Sequence, residues 1–332
     1  MRIVLCYVTK PCYLEQIAAA APGAEIIDAG QERIAAEIFG ADVFCGHAKV
    51  HIDWDGVVRQ GRLRWIQSSA AGMDHCLVPA VIESDVVVTS ASGALADQVA
   101  EHTVALMTAW GRNLPTFFRA QQIKEFIRRP TRDLTRSTVG MIGFGGVGRR
   151  LARLLAGFDA RIVATDMFPV AKPDYVEALW SADRFDEVLA LADFLVLCVP
   201  LNDSTRGMID AAAMSKMKPG SLLVNVARGP LVVQRDLVAA LESGHLGGAV
   251  MDVTDPEPLP PESKLWDMPN VIITPHVGGQ AAWRNDKITE LFCRNLRRWR
   301  EGLPLINYLS DKRLGFPIRG AGWPLWGEAC EP

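Results

Sequence analysis

The sequence predicts an α/β fold built on a doubly wound parallel sheet. Three observations carry that prediction. Short apolar runs recur at Val139 to Ile142, Phe194 to Val199, Ser221 to Val226, Gly248 to Val253 and Ile272 to Ile273. Each is continuous enough for a strand buried on both faces. Between them lie stretches with apolar residues at helical spacing, and a strand-then-helix rhythm of this kind gives a parallel sheet covered by helices on both faces. In the stretch Ser137 to Asp166, finally, a strand, a glycine-rich turn, a helix (Leu151, Leu154, Leu155 and Phe158 on one face), a second strand and an acid follow in order.

The glycines of that stretch fall as Gly143-Phe144-Gly145-Gly146-Val147-Gly148, the pattern G-x-G-x-x-G. Gly143 permits the tight turn off the strand, Gly145 lets a pyrophosphate reach bare backbone, and Gly148 allows the helix to pack closely on the sheet. The helix N-terminus offers free N–H groups and the positive end of its dipole to the phosphates. Asp166 ends the second strand roughly twenty positions on, where a carboxylate accepts hydrogen bonds from the adenosine ribose. This is the context the motif requires, so a Rossmann-type dinucleotide site is expected. A 2′-phosphate beside Asp166 would meet a like charge at short range. No arginine follows it, only Met167, Phe168 and Pro169. The residues point to NAD rather than NADP.

At 332 residues, 49% of them hydrophobic, the chain can build two compact domains. A formal net charge of −3 leaves no electrostatic footprint for nucleic acid. No apolar run approaches about 18 residues, and the opening MRIVLCYVTKPC lacks the pattern of a signal peptide and reads as a first strand. A cytoplasmic protein without a membrane segment is expected. The seven cysteines are scattered and never spaced as C-x-x-C, which argues against a disulfide framework and a structural zinc site. No His/Asp/Glu cluster has ligand spacing, so no metal is expected.

Taken in order, residues 1–95 predict a smaller α/β unit. Its strand candidates are Arg2 to Tyr7, Ala41 to Cys45, Trp65 to Gln67 and Val86 to Thr89, with helical patches at Tyr13 to Ala20 and Gln31 to Ile38. The run Ser68-Ser69-Ala70-Ala71-Gly72-Met73-Asp74-His75 follows a strand, and its small residues leave backbone N–H groups approachable to a carboxylate. On this loop alone an ordinary βα turn is the stronger reading. Asp97 to Arg112 predicts an amphipathic crossover helix with Asp97 as N-cap. Phe117 to Arg136 reads as an arm of aromatic and basic residues. Met167 to Ser181 is looser; helices are expected at Phe185 to Leu191 and Arg235 to Glu242. A basic amphipathic helix, Asp286 to Arg300, is expected to return to the first unit, and part of the tail with Trp323 and Trp326 to dock. The predicted domains are therefore 1–95 with 286–332, and 96–285.

Functional residues in parallel sheets gather just past the carboxyl ends of the strands, where Arg228, Asp252 and His276 stand. Hydride transfer to a ketone needs positioning, a proton donor and a clamp for the neighbouring carboxylate. Histidine suits the proton role because its ordinary pKa, about 6.5, lies near working pH. A carboxylate such as Glu257 on its other ring nitrogen fixes the tautomer, and arginine offers a planar fork for a 2-oxo acid. On residue type alone, Arg228 serves equally as a strand-end cap, Glu257 as loop charge and His276 as a satisfied buried histidine.

The chain resembles the D-isomer-specific 2-hydroxyacid dehydrogenases. The likeness is carried by Gly143 to Gly148, Val199-Pro200-Leu201 with Thr205, Asn225 to Val232, Gly247 to Val253, Glu257-Pro258-Leu259-Pro260, Leu265-Trp266, and Pro269 to Gly279. It runs from about Trp65 to Asn307. The resemblance implies a smaller flavodoxin-like α/β domain formed from both chain ends, and a small D-2-hydroxy acid or 2-oxo acid as substrate. It assigns Arg228 to the substrate carboxylate and carbonyl, Glu257 to pairing with the histidine, and His276 to proton donation. Asp252 would lie near the nicotinamide carboxamide. Val199, Pro200, Thr205, Val226, Ala227, Arg228, His276 and Gly278 would also line the NAD site, with Phe144, Gly146 and Val147 of the glycine turn. Ala70, Ala71 and Gly72 would supply N–H groups to the substrate carboxylate, alongside Arg228 and His276. A homodimer through residues 97–137 is implied too.

The chain departs from the family's pattern at Thr254, where an aromatic is frequent, and at Ala71, where phosphite-oxidising members carry lysine. A second reading, an NAD(H)-sensing corepressor-like binding protein, uses the same fold.

Overall fold

The computed structural model describes residues 1–169, 171–318 and 325. Two compact units emerge, Met1–Leu95 with Ala281–Pro332, and Ala96–Gln280. Residues 281–285 fall with the first unit.

In the first unit, β1 (Arg2–Cys6), β2 (Glu25–Asp28), β3 (Val43–Gly46), β4 (Trp65–Ser68) and β5 (Val87–Thr89) form a parallel sheet in the order β2-β1-β3-β4-β5. β1, β3 and β4 are almost wholly buried, as their apolar runs require. β2 was not expected: its EIID sequence is half-exposed at the sheet edge and lacks a buried strand's signature. The Pro11–Ala20 and Arg284–Glu301 helices pack on one face. There Trp65 stacks on Trp299 with ring centroids 5.4 Å apart, beside buried Phe292 and Leu296.

The second unit holds β6 (Thr138–Ile142), β7 (Arg161–Asp166), β8 (Ala178–Ser181), β9 (Phe194–Leu197), β10 (Leu222–Asn225), β11 (Gly248–Met251) and β12 (Val271–Ile273). They pair in parallel in the order β12-β11-β10-β9-β6-β7-β8. Side chains alternate between two cores. Val163, Leu195, Leu197, Leu223 and Ala249 enter one, while Met141, Ile162, Ala164, Val196, Val224 and Val250 enter the other. Both faces are therefore dry, which is why these strands read as continuous apolar runs. β8 lies within the stretch expected to be loose; it is an edge strand with only partly buried residues.

The chain leaves β6 to one side for β7 and β8, then crosses back to place β9 on the other side of β6. The order thus reverses between β6 and β9, and ligands of open parallel sheets bind outside the carboxyl ends at such a point.

Three local expectations are corrected. The crossover helix spans Ala96–Gly111, so Asp97 lies in its first turn rather than at the N-cap, and pairs with Arg150 Nε at 2.6 Å. The arm begins as a helix, Leu114–Gln122, entered through Pro115. Short helices at Trp54–Gln60, Pro79–Glu83 and Ala211–Lys216 were not expected. Trp323 and Trp326 lie outside the described residues.

Candidate active site

The glycine turn sits at the carboxyl end of β6. Gly143 has φ +95°, and a Cβ there would come within 2.7 Å of the Cys198 carbonyl oxygen. This residue therefore lets the turn close against the end of β9. A Cβ on Gly148 would lie 2.6 Å from the Gly143 oxygen, so the Gly146–Leu155 helix starts hard against the turn. Gly145 is the opposite case: a Cβ there would meet nothing within 4 Å. Open space above bare backbone, at a helix N-terminus with its unpaired N–H groups, fits a pyrophosphate. Val147 is half-buried in that first turn and Phe144 turns inward, buried.

Asp166 closes the other side. Its Oδ2 accepts from Phe144 N at 2.7 Å and its Oδ1 from Phe168 N at 2.9 Å, so the carboxylate is tied to the glycine turn. Val199 and Pro200 are half-buried past β9. Thr205 is buried; its hydroxyl donates to Pro200 O at 2.7 Å and accepts from Asn202 N at 2.9 Å. That side chain closes its own loop.

Arg228 follows β10. Buried Asn225 shapes the turn, accepting from Ala227 N at 3.1 Å and donating to Arg228 O at 2.8 Å. Val226 and Ala227 are half-buried, and Arg228 Nη1 donates to Ala227 O at 2.7 Å. The next residue, Gly229, lies so close to the segment after β11 that a Cβ would overlap the Thr254 carbonyl. Thr254 N donates in turn to Glu257 Oε1 at 3.0 Å, and Glu257 Oε2 lies 3.0 Å from His276 Nδ1. A continuous chain of contacts thus joins Arg228, Glu257 and His276 along the ends of three adjacent strands. His276 is half-exposed, with φ +54°, rather than a satisfied buried histidine.

Asp252, expected beside the nicotinamide carboxamide, is 3% exposed and engaged within the protein. Its Oδ1 accepts from Thr274 Oγ1 at 2.6 Å and Val277 N at 3.0 Å, and its Oδ2 from Gly278 N at 2.9 Å. His102 Nε2 lies 3.3 Å from Oδ1 and 3.1 Å from Thr274 Oγ1. Burial pushes this carboxyl up, but the hydrogen bonds from His102, Thr274, Val277 and Gly278 outweigh it and bring the pKa down to about 2. The backbone oxygen of Asp252 also accepts from His276 N at 2.8 Å. One buried acid thereby fixes the turn that carries His276. Neither His102 nor Thr274 was singled out for this from the sequence, because their contact spans 172 positions.

In the first unit, the loop after β4 places Ala71 in solvent and leaves Ala70 and Gly72 half-buried. Ala70 N is taken by Ser68 Oγ at 3.0 Å. Among the described residues the N–H groups of Ala71 and Gly72 donate to none. Among the described residues, too, no group of three or more His, Cys, Asp or Glu could hold a metal ion, and no helix is long and apolar enough to cross a membrane.

Residues 104–278 match the family model described as D-isomer specific 2-hydroxyacid dehydrogenase, NAD binding domain. An (S)-sulfolactate dehydrogenase of Chromohalobacter salexigens is 34% identical over 254 residues, 75% of this chain and 82% of that protein. The chain belongs to the D-isomer-specific 2-hydroxyacid dehydrogenase family. Two solved structures agree. A family member from Xanthobacter autotrophicus Py2, in complex with NADPH and MES, is 27% identical at a TM-score of 0.80, covering 95% of this chain and 99% of that one. An NADPH-dependent glyoxylate/hydroxypyruvate reductase from Sinorhizobium meliloti, in complex with NADP and sulfate, is 29% identical at a TM-score of 0.80, with the same coverage. As a D-2-hydroxyacid dehydrogenase, the protein is an NAD(P)-dependent oxidoreductase acting between 2-hydroxy and 2-oxo acids.

Proposed function

We propose that the protein reduces a small 2-oxo acid to its D-2-hydroxy acid with NADH. Arg228 holds the carboxylate and polarises the carbonyl, and His276 acts as the acid. The observation that carries this reading is the 3.0 Å contact between Glu257 Oε2 and His276 Nδ1, joined through Thr254 and Gly229 to the turn bearing Arg228.

Bound nicotinamide supplies the hydride to the carbonyl carbon. With Nδ1–H held on Glu257, the imidazole keeps Nε2 for the carbonyl oxygen and delivers the proton there as the alkoxide forms. Arg228 meets the acid with parallel donors, and the same donors stabilise charge growing on the oxygen. In the opposite direction His276 takes the hydroxyl proton. Thr205 is assigned to shaping the loop that flanks the cofactor, and Asp252 with Gly278 to steadying His276. Ala71 and Gly72 offer the substrate carboxylate N–H groups that have no acceptor among the described residues.

The choice of NADH rests on Asp166, whose charge opposes a 2′-phosphate; the similar NADPH and NADP complexes make this a property of the chain's own residues to be measured. A homodimer through residues 97–137 is supported by Phe118, Ile123 and Phe126, which are 59%, 72% and 95% exposed. A cytoplasmic location completes the reading. The test is NADH consumption with glyoxylate, hydroxypyruvate, pyruvate and bulkier 2-oxo acids: turnover of one or more is expected, and turnover of none would remove the proposal.

A further inference from the structure

Arg284 is an arginine whose position serves the surrounding fold poorly. It opens the Arg284–Glu301 helix, where a cation faces the positive end of the dipole. Burial alone pushes its pKa down, and among the described residues no carboxylate lies within ion-pair distance of it. A desolvated charge without a counter-ion is costly and seldom retained for stability.

Its hydrogen bonds say where the charge is aimed. Nη2 donates to Ser69 O at 2.9 Å, and Nη1 to Asn285 Oδ1 at 3.3 Å. Ser69 is buried and directly precedes Ala70, Ala71 and Gly72, the run whose last two N–H groups donate to nothing among the described residues. Behind it, Ser68 Oγ accepts from Ala70 N at 3.0 Å and donates to Ala70 O at 3.1 Å. Ala91 N also donates to Ala70 O, at 3.0 Å. The loop is thus held from three sides, and among the described residues the Arg284 cation fastened to it has no acid of its own.

We infer that Arg284 is a specificity-determining residue: it positions the Ser69–Gly72 loop and supplies the positive charge that makes this loop select small carboxylate anions. The inference rests on the 2-oxo acid reading above and adds to it a residue outside the Arg228, Glu257 and His276 set. Coulombic attraction grows with ligand charge, so a 2-oxo diacid depends on Arg284 more than a 2-oxo monoacid does.

The experiment compares wild type with Arg284→Met and Arg284→Lys, each checked for wild-type NADH affinity and thermal unfolding. Arg284→Met should raise the KM for glyoxylate about tenfold with kcat within about twofold, raise that for oxaloacetate further, and weaken the dependence of KM on salt. Arg284→Lys, which keeps the charge, should recover part of the loss. A KM within about twofold of wild type in Arg284→Met, or a lysine variant as impaired as the methionine variant with salt dependence unchanged, would overturn the role. Oxamate, which carries the carboxylate but is not reduced, separates the two proposals when titrated with NADH present. A wild type that binds oxamate but reduces no 2-oxo acid defeats the catalytic reading alone. Equal oxamate affinity in wild type and Arg284→Met defeats the role of Arg284.

Discussion

Gly229 and Thr254 touch backbone to backbone: a side chain at position 229 would overlap the Thr254 carbonyl. Through this contact the turn after β10 shares a wall with the segment after β11, so Arg228 on one and Glu257 on the other have fixed positions. Overpacking a closed site costs about 1–3 kcal/mol when side chains can shift, and here the obstacle is backbone. Gly229→Ala is therefore expected to lower stability by at least about that amount and to reduce kcat/KM beyond what the loss of folded protein explains. Urea unfolding and assay of the folded fraction measure the two effects; a variant with both values unchanged would show that the turns are not coupled.

Asp252 links the site to pH. Its carboxyl lies at about 2 in the folded protein against an ordinary 3.8. A depressed pKa contributes stability that is fully present above the unfolded value and is lost as pH falls toward the folded one. The window is thus roughly pH 4 down to pH 2. Asp252→Asn should lose about 1.5–3 kcal/mol at neutral pH, the scale of hydrogen bonds to a charged group. It should also show a shallower fall in stability across that window. Urea midpoints followed against pH test both statements, and an unchanged slope would mean that the acid contributes no charge linkage.

The proposed preference for NADH is assigned to Asp166. Asp166→Ser removes the charge that opposes a 2′-phosphate, so the ratio of NADPH to NADH affinity should rise by about tenfold or more. Fluorescence titration of each cofactor reads this directly. An unchanged ratio would place the discrimination elsewhere.

Much of this architecture was legible from the chain because the sheet of the second unit is buried on both faces. β6, β9, β10 and β11 have no solvent side, so their sequences are uninterrupted apolar runs. The edge strands β2 and β8 are partly exposed, carry mixed residues and look like loop. The Leu114–Gln122 helix was hidden by Pro115 and by the basic residues after it. Residue type alone left Arg228, Glu257 and His276 with duller alternatives, and only the family's motif order singled them out. His102 and Arg284 had no such signal: one contacts a buried acid distant in the chain, the other a single carbonyl 215 positions away.

Truncating Arg228 should be costly in its own right. Arg228→Ala is expected to lose about 2–5 kcal/mol of transition-state stabilisation, seen in kcat/KM. Arg228→Lys keeps the charge but not the fork, and should recover only part of it. Steady-state kinetics on the preferred 2-oxo acid give both values. A lysine variant equal to wild type would mean that fork geometry is irrelevant.

The most direct test of the central claim is kcat for 2-oxo acid reduction in His276→Gln, with NADH affinity measured on the same protein. Removing the proposed acid, whose Nδ1 lies 3.0 Å from Glu257 Oε2, should lower kcat by about 10²–10⁴-fold and leave NADH binding unchanged. Turnover within about threefold of wild type would contradict His276 as the proton donor.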